Sequence, residues 1–395
     1  MVVAIGLVAS GCAVAAPVAD HAGPSTVPST AVPLRSNPDV AAPLGSTDPF
    51  LHARGTGLSL DGEPYTPIGL NVYQLATLWG QNMGCGGMLA DDQLDAFFAA
   101  LPTRALVRMW AWQGSMATNP STHERDWRPL DRVVAAAERR GIVLVVSLGS
   151  QHGNCDDGRW KDPAWYRGGY RHDDGGDGYS RTTVPYLDYV REIVARYRTS
   201  PAIGMWEPIN EPEASTCLAG FRFAECYGHL SCPNPTDATA ALRSFFDTVG
   251  REIRSIDPNH LIESGAIGGP QCGWAGSSFN EVNASAGIDV VGFHDYSSTP
   301  TVSAELSGRL AMSRALGKPL FVGERGMVAG SGGSCMSEAT RVSSTSAATG
   351  SMFALGVAAI ALWNYDAAPT GRCSLDIGPN DPLLGLVRGA VQSAS

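Results

Sequence analysis

The chain has 395 residues, 44% of them hydrophobic, and its 38 Asp and Glu against 28 Lys and Arg give a formal net charge of −10. That acidic balance argues against nucleic acid or an anionic membrane surface as a partner and fits a neutral substrate. The length suits one large α/β unit, and 46 Gly with 26 Pro fit a fold rich in loops rather than disorder throughout.

Residues 1–16 form an apolar run, and Ala13-Val14-Ala15 has the small residues of a signal-peptidase site, so the segment reads as an export signal, although it lacks the usual Lys or Arg. Within it, Val8-Ala9-Ser10-Gly11-Cys12 resembles a bacterial lipobox. The lipobox implies a lipid on Cys12 as the link to a membrane and a cell-surface or extracellular protein; in the plain alternative, Cys12 is one apolar residue of a cleaved signal. Residues 17–49 are Ala, Pro, Ser, Thr and Val with few charges and no periodicity, a composition that buries too little apolar surface to offset chain entropy and stays extended as a tether. The folded domain is expected over residues 50–395, as a monomer.

Short apolar runs at Tyr65–Asn71, Arg104–Trp110, Ile142–Leu148, Ala202–Glu207, Leu261–Ala266, Val290–His294, Leu320–Glu324 and Ala358–Trp363 read as strands. Amphipathic stretches lie between them at Leu94–Ala100, Leu130–Arg140, Val184–Arg198, Ala238–Ile256, Ala304–Leu316 and Glu338–Leu355, with a weaker one around Asn280. Eight near-continuously apolar strands separated by helices imply parallel strands buried on both faces, which is the pattern of a (β/α)8 TIM barrel. No Gly-rich turn follows the first strand, so the doubly wound alternative lacks its phosphate cradle.

The most telling residues are Glu211 and Glu324. Each stands where an apolar run ends, and a carboxylate there is a buried unpaired charge unless the strand opens into a site that uses it. Asn71, Arg108, Asn210, Glu211, His294, Tyr296, Glu324 and Trp363 all fall at such ends, where barrel enzymes place their chemistry. Paired carboxylates of this kind serve glycosidic-bond cleavage.

Here the sequence resembles the clan A glycoside hydrolases, and glycoside hydrolase family 5 in particular. The motifs are Trp206-Glu207-Pro208-Ile209-Asn210-Glu211-Pro212, similar to the family's Trp-Glu-x-x-Asn-Glu-Pro; Phe293-His294-Asp295-Tyr296, similar to its His-x-Tyr; and the segment ending in Glu324. The resemblance implies a retaining mechanism with Glu211 as acid/base and Glu324 as nucleophile, their carboxyl groups about 5 Å apart. It also implies that Asn210 holds the sugar 2-hydroxyl, that Arg108 and Tyr296 contact Glu324, that His294 bonds near Glu211, and that Trp363 floors the sugar at the cleavage point. Asn71 and Trp112 join the expected substrate-binding set.

The third strand ends in Val146-Ser147-Leu148-Gly149-Ser150, without the histidine that many cellulases of the family carry there. Gly69-Leu70-Asn71-Val72-Tyr73, Val107-Arg108-Met109-Trp110-Ala111-Trp112 and Trp363-Asn364-Tyr365 are closer to the β-mannanase branch, so an endo-β-1,4-mannanase leads. A β-1,4-glucanase or an exo-acting β-glycosidase is the alternative within the class, and a catalytically silent carbohydrate-binding barrel is the alternative outside it. Arg325 stands where relatives more often have an aromatic residue.

Other features have plainer readings. Trp110 and Trp112 could stack on pyranose rings, but one of two such tryptophans is commonly core. The segment 149–181 carries Asp156, Asp157, Asp173, Asp174 and Asp177 among glycines; that density of oxygen ligands could hold calcium, yet the spacing matches no calcium loop, and a solvated loop facing substrate is the reading taken. His152 and Glu213 are read as rim residues and Glu207 as a structural, paired carboxylate. No metal or organic cofactor is expected. With Cys12 set aside, Cys85, Cys155, Cys217, Cys226, Cys232, Cys272, Cys335 and Cys373 make an even number suited to four disulfides, and no Cys-x-x-Cys suggests zinc. Cys335 and Cys373 each follow a strand end at a similar distance and are expected to pair.

Overall fold

In this computed structural model the described residues are 48–77, 90–119, 121–153, 155–172, 184–218, 226, 229–331, 335–369 and 373–392. The export signal (1–16), the tether (17–49, but for Asp48 and Pro49), Cys12, Cys85, Asp173, Asp174 and Asp177 lie outside them.

Eight parallel strands are present: β1 (Ile68–Asn71), β2 (Leu106–Trp110), β3 (Val143–Ser147), β4 (Ile203–Glu207), β5 (Leu261–Ile262), β6 (Val291–Asp295), β7 (Leu320–Arg325) and β8 (Ala359–Leu362). They pair in the order β5-β4-β3-β2-β1-β8-β7-β6. A bridge between Glu263 and Val290, with Val290 N donating to Ile262 O at 3.0 Å, joins the two outer strands and closes a (β/α)8 barrel. Each strand lies within a few residues of its expected span except β5, which was expected to run to Ala266. It stops early because Gly265 adopts a left-handed φ of +64°, which turns the chain out of the sheet.

Helices α1 (Asp91–Ala99), α2 (Gln113–Met116), α3 (Arg128–Arg140), α4 (Pro163–Tyr166), α5 (Tyr186–Tyr197), α6 (Pro235–Ile256), α7 (Ser278–Asn283), α8 (Ala304–Ala315), α9 (Glu338–Ala354) and α10 (Leu384–Gln392) connect the strands and follow the last of them. Their starts are written locally. Asn234, Ser303 and Ser337 accept from backbone N–H groups of the first turns of α6, α8 and α9, and Gly141 at φ +61° ends α3. The short α2 and α4 and the terminal α10 were not expected. In α10 two glycines, Gly385 and Gly389, dilute the apolar period.

Strand alternation divides the core into two clusters. Leu144, Val146 and Val107 face the helices, whereas Leu106, Val143, Val145, Met205, Leu261, Phe321, Ala359 and Ala361 fill the lumen. A small antiparallel sheet, Leu51–Arg54 with Gly57–Leu60 and Glu63–Pro64, supplies Leu51, Leu58 and Leu60 to the lumen cluster. With one end filled by apolar side chains, polar residues of the same parity on β2, on β4 and just past β5, namely Arg108, Glu207 and Glu263 two positions beyond Leu106, Met205 and Leu261, collect at the other end.

Cys217–Cys226, Cys232–Cys272 and the expected Cys335–Cys373 are disulfides, and Cys155 is disulfide-bonded as well. Among the described residues no helix is long and apolar enough to cross a membrane.

A Cβ at Gly265 would lie 2.1 Å from the carbonyl oxygen of Ile209, in a backbone conformation L-residues avoid. Gly265→Ala is therefore expected to lower stability by about 2 kcal/mol or more, read as a lower denaturant midpoint at unchanged slope.

Candidate active site

The site is assembled around Arg108. Leu106 points into the lumen, so Arg108 follows it there two residues on, fully buried. Its Nε and Nη2 each donate to Glu207 at 2.7 Å, Nη1 donates to Asn71 Oδ1 at 2.8 Å and Glu324 Oε1 at 2.9 Å, and Nη2 also donates to Asn210 Oδ1 at 2.5 Å. All five N–H groups are thereby used. A buried guanidinium with two carboxylates and a full set of acceptors offsets its desolvation; one lacking a partner would not. Asn71 in turn donates to Gly323 O at 2.8 Å, fixing the residue before Glu324.

Glu324 accepts Arg108 on Oε1 and the Tyr296 hydroxyl on Oε2. His294 Nδ1 lies 3.5 Å from that Oε2 and 2.7 Å from Glu211 Oε1. One oxygen of Glu211, one of Glu324 and a nitrogen of His294 thus lie within 4.8 Å of one another. Glu211 has a left-handed φ of +53° and donates its N–H to Gly265 O at 2.9 Å, which aims the side chain across the mouth of the barrel from Glu324. Its neighbour Asn210 donates its N–H to Gly149 O at 2.8 Å.

Burial sets the protonation pattern. It pushes Glu211 up to about 7, the field of Arg108 opposing and that of Glu207 adding. It raises Glu324 too, the charge of Glu211 adding, while Arg108 and the Tyr296 hydrogen bond favour the ionised form. Burial lowers His294 to about 4, so its imidazole is neutral near neutral pH. At Glu207 burial works against the charge, yet Arg108 outweighs it and holds the carboxyl below its ordinary range, as expected of a structural, paired carboxylate. His152, expected at the rim, has Nε2 4.0 Å from Glu211 Oε2, and burial followed by the Lys161 charge lowers it to about 3.

Several expected contacts are placed differently. Asn71 is fully buried and supports Glu324 through Gly323 rather than offering atoms to a ligand, whereas Arg108, also fully buried, contacts Glu324 as expected. Trp112 is only 2% exposed and stacks on Trp110 at 3.7 Å; it has no open face and belongs to the core. Trp363 is half-buried and lies nearly parallel to Tyr73, with centroids 5.4 Å apart. Tyr73 was not singled out, although its place two residues past Asn71 could have marked it. In the acidic loop, Asp157 pairs with the Lys161 ammonium and Asp156 accepts from Ser150 N at 3.3 Å. Glu213 is part of the rim, its N–H donating to Gln151 Oε1 at 2.9 Å and its Oε1 accepting from Cys272 N at 3.4 Å.

Two residues are placed by strand geometry that the sequence pattern does not carry. Phe321 faces the lumen, and regular alternation would send Gly323 and Arg325 there. A register irregularity between Val322 and Arg325 brings Glu324 to the site instead, opposite His294. Arg325 is displaced to the loop after β6, where Nη1 donates to Ser297 O at 2.5 Å and Nη2 to Thr299 O at 3.2 Å. Glu263, just past the end of β5, lies beside Glu207.

The family model described as "Cellulase (glycosyl hydrolase family 5)" matches residues 61–365. The chain belongs to glycosyl hydrolase family 5. It is thus a glycoside hydrolase. Among similar family proteins, a "Probable mannan endo-1,4-beta-mannosidase C" of Aspergillus terreus is 34% identical over 43% of this chain and 41% of its own length. A "Putative mannan endo-1,4-beta-mannosidase 9" of Oryza sativa subsp. japonica is 26% identical over 72% of each chain. The family fold is also that of the endo-1,4-beta-mannanase from Rhizomucor miehei, with TM-score 0.60 and 21% identity over 87% of this chain and 99% of that one.

Lysine has three donors on a point charge and cannot replace the guanidinium fork. Arg108→Lys is expected to lose about 3 kcal/mol or more of stability, since Glu207 would keep a buried and poorly paired charge; urea unfolding measures it.

Proposed function

We propose that this family 5 enzyme is a retaining, endo-acting β-1,4-mannanase in which Glu324 is the nucleophile and Glu211 the acid/base. The supporting observation is the carboxyl pair: oxygens of Glu211 and Glu324 lie within 4.8 Å, and Glu324 alone of the two accepts from Arg108 and Tyr296. An inverting pair sits further apart, at roughly 6.5–9.5 Å, to leave room for a water.

In the first step the Glu324 carboxylate attacks the anomeric carbon, the glycosidic C–O bond breaks, and the Glu211 proton passes to the departing oxygen. In the second, a water attacks that carbon, Glu211 takes the water's proton, and the Glu324 ester bond breaks. Asn210 is assigned to the sugar 2-hydroxyl and Trp363, with its partly open face, to the apolar floor. His294 orients Glu211, and Tyr296 donates to Glu324. The names of the relatives and the missing histidine after β3 favour mannan over glucan. The disulfides favour an oxidising, extracellular setting. Export by residues 1–16, a lipid on Cys12 and action as a monomer complete the proposal.

Hydrolysis of soluble mannans, glucans and aryl β-glycosides tests the substrate, with internal cleavage of mannan as the expected result. Roles are tested by variants. Glu324→Ala is expected to abolish turnover, because no covalent intermediate forms. Glu211→Ala should still glycosylate itself with an activated aryl glycoside, stall, and recover with azide to give a β-glycosyl azide. An α-azide from Glu211→Ala, or β-azide rescue of Glu324→Ala instead, reverses or defeats the assignment.

A pH profile offers a separate check. Glu211 must begin the cycle protonated and burial raises it to about 7, so kcat/KM is expected to fall as pH rises through about 7. That limb should vanish in Glu211→Ala on an activated substrate.

A further inference from the structure

We propose that Glu263 is held as a neutral carboxylic acid that donates its proton to Glu207, and so acts as a positioning residue that keeps the Glu207–Arg108 pair in the orientation Glu324 needs. The role is additional to those proposed above and rests on Glu324 being the nucleophile.

The placement follows from parity. Leu261 faces the lumen, so Glu263, two residues on, does too, and it is 1% exposed. Both carboxyl oxygens are sealed from solvent, and apart from the Gly265 N–H and the Glu207 carboxyl no hydrogen-bond partner faces them. The chain makes room for this carboxyl by having no side chain at Gly292: a Cβ there would lie 2.2 Å from Glu263 Oε1.

The groups acting on Glu263 are few. From β4 comes the Glu207 carboxylate, from β2 the Arg108 guanidinium, and from its own segment the Gly265 N–H. Gly292 of β6 contributes backbone only. Arg108 is near enough to act through its field, but its five hydrogens already go to Glu207, Asn71, Glu324 and Asn210. No guanidinium hydrogen remains for a second buried carboxylate. Glu207 has two bonds from that arginine and is the member that keeps its charge. Two ionised carboxylates side by side repel and have no hydrogen to share, whereas one protonated and one ionised form a charge-assisted bond. Burial and the Glu207 charge both drive Glu263 well above the ordinary carboxyl range, with Arg108 opposing.

A neutral acid suits the site better than a second anion. It fixes Glu207 directionally while adding no negative charge that would draw Arg108 away from Glu324 or raise the proton affinity of Glu211 and Glu324.

Infrared difference spectra of the full chain, wild type minus Glu263→Gln, read the proton without substrate. At pH ~7.5, well above the ordinary glutamate value, the wild type is expected to show a protonated-carboxyl C=O band that the variant lacks. Glu211 and Asp156 are common to both and cancel. On mannan, Glu263→Ala should lower kcat about tenfold through misplacement of Glu207, and Glu263→Gln, which can still donate, should recover most of that loss. The basic limb of the pH profile should stay in place in Glu263→Gln. If Glu263 were ionised, removing its charge would lower the proton affinity of Glu211 and move that limb to lower pH. Such a shift, or a difference spectrum without the band, overturns the proposal. Should the alanine variant fail to fold, the glutamine variant and its spectrum still decide. Failure of the nucleophile assignment would appear in the azide products and leave the spectrum unchanged.

Discussion

One guanidinium ties the barrel together at its working end. Arg108 stands on β2, yet its hydrogens reach Asn71 on β1, Glu207 on β4, Asn210 just beyond it and Glu324 on β7. Side chains from as far apart in sequence as positions 71 and 324 are therefore fixed relative to one atom cluster. Because Arg108 is fully buried, losing a partner leaves its charge poorly compensated. The same five bonds contribute to folding stability and to the charge state of the site, so losing one of them is expected to alter both.

The loop after β4 is held from several sides, and this explains how Glu211 keeps a backbone conformation unusual for its type. The Tyr186 hydroxyl donates to Pro208 O, Trp274 Nε1 donates to Pro212 O at 2.5 Å, and Gln151 bridges the N–H and carbonyl of Glu213. Cys232–Cys272 adds a covalent tie between the segments after β4 and β5. Arg325 does comparable work on the other side, gathering carbonyls of Asp295, Ser297 and Thr299 and so fixing the loop that carries Tyr296.

How much of this could be read beforehand depended on whether the signal was local. The eight strands and most helices were legible because apolar runs and amphipathic periods are local, and Glu211 and Glu324 because a carboxylate ending an apolar run is anomalous without a site. The small sheet at Leu51–Pro64 was not, because its strands are short and its role is to fill a lumen that exists only once the barrel has closed. Trp110 and Trp112 looked equivalent in sequence, and only the fold shows that one ring covers the other. Arg325 was recognised as a departure, but a bulge within β7 decides its direction, and sequence patterns follow regular alternation. Glu263 was hidden by the opposite error, since its strand was drawn past the left-handed turn at Gly265 and the carboxylate seemed to lie mid-strand.

The closeness of Glu211 to Glu324 gives the two groups a shared history through a turnover. While Glu324 is an anion, its charge helps Glu211 retain a proton, because two like charges within 4.8 Å oppose each other. On the roles proposed, the first half of the reaction converts Glu324 into a neutral ester. The repulsion then ends, and Glu211, having just given up its proton, is left with a lower affinity for another. A group that began as an acid is thereby retuned to act as a base by the bond its neighbour has formed, and when that bond breaks the returning charge restores the original setting. On those roles the active site would reset its own proton affinities once per cycle.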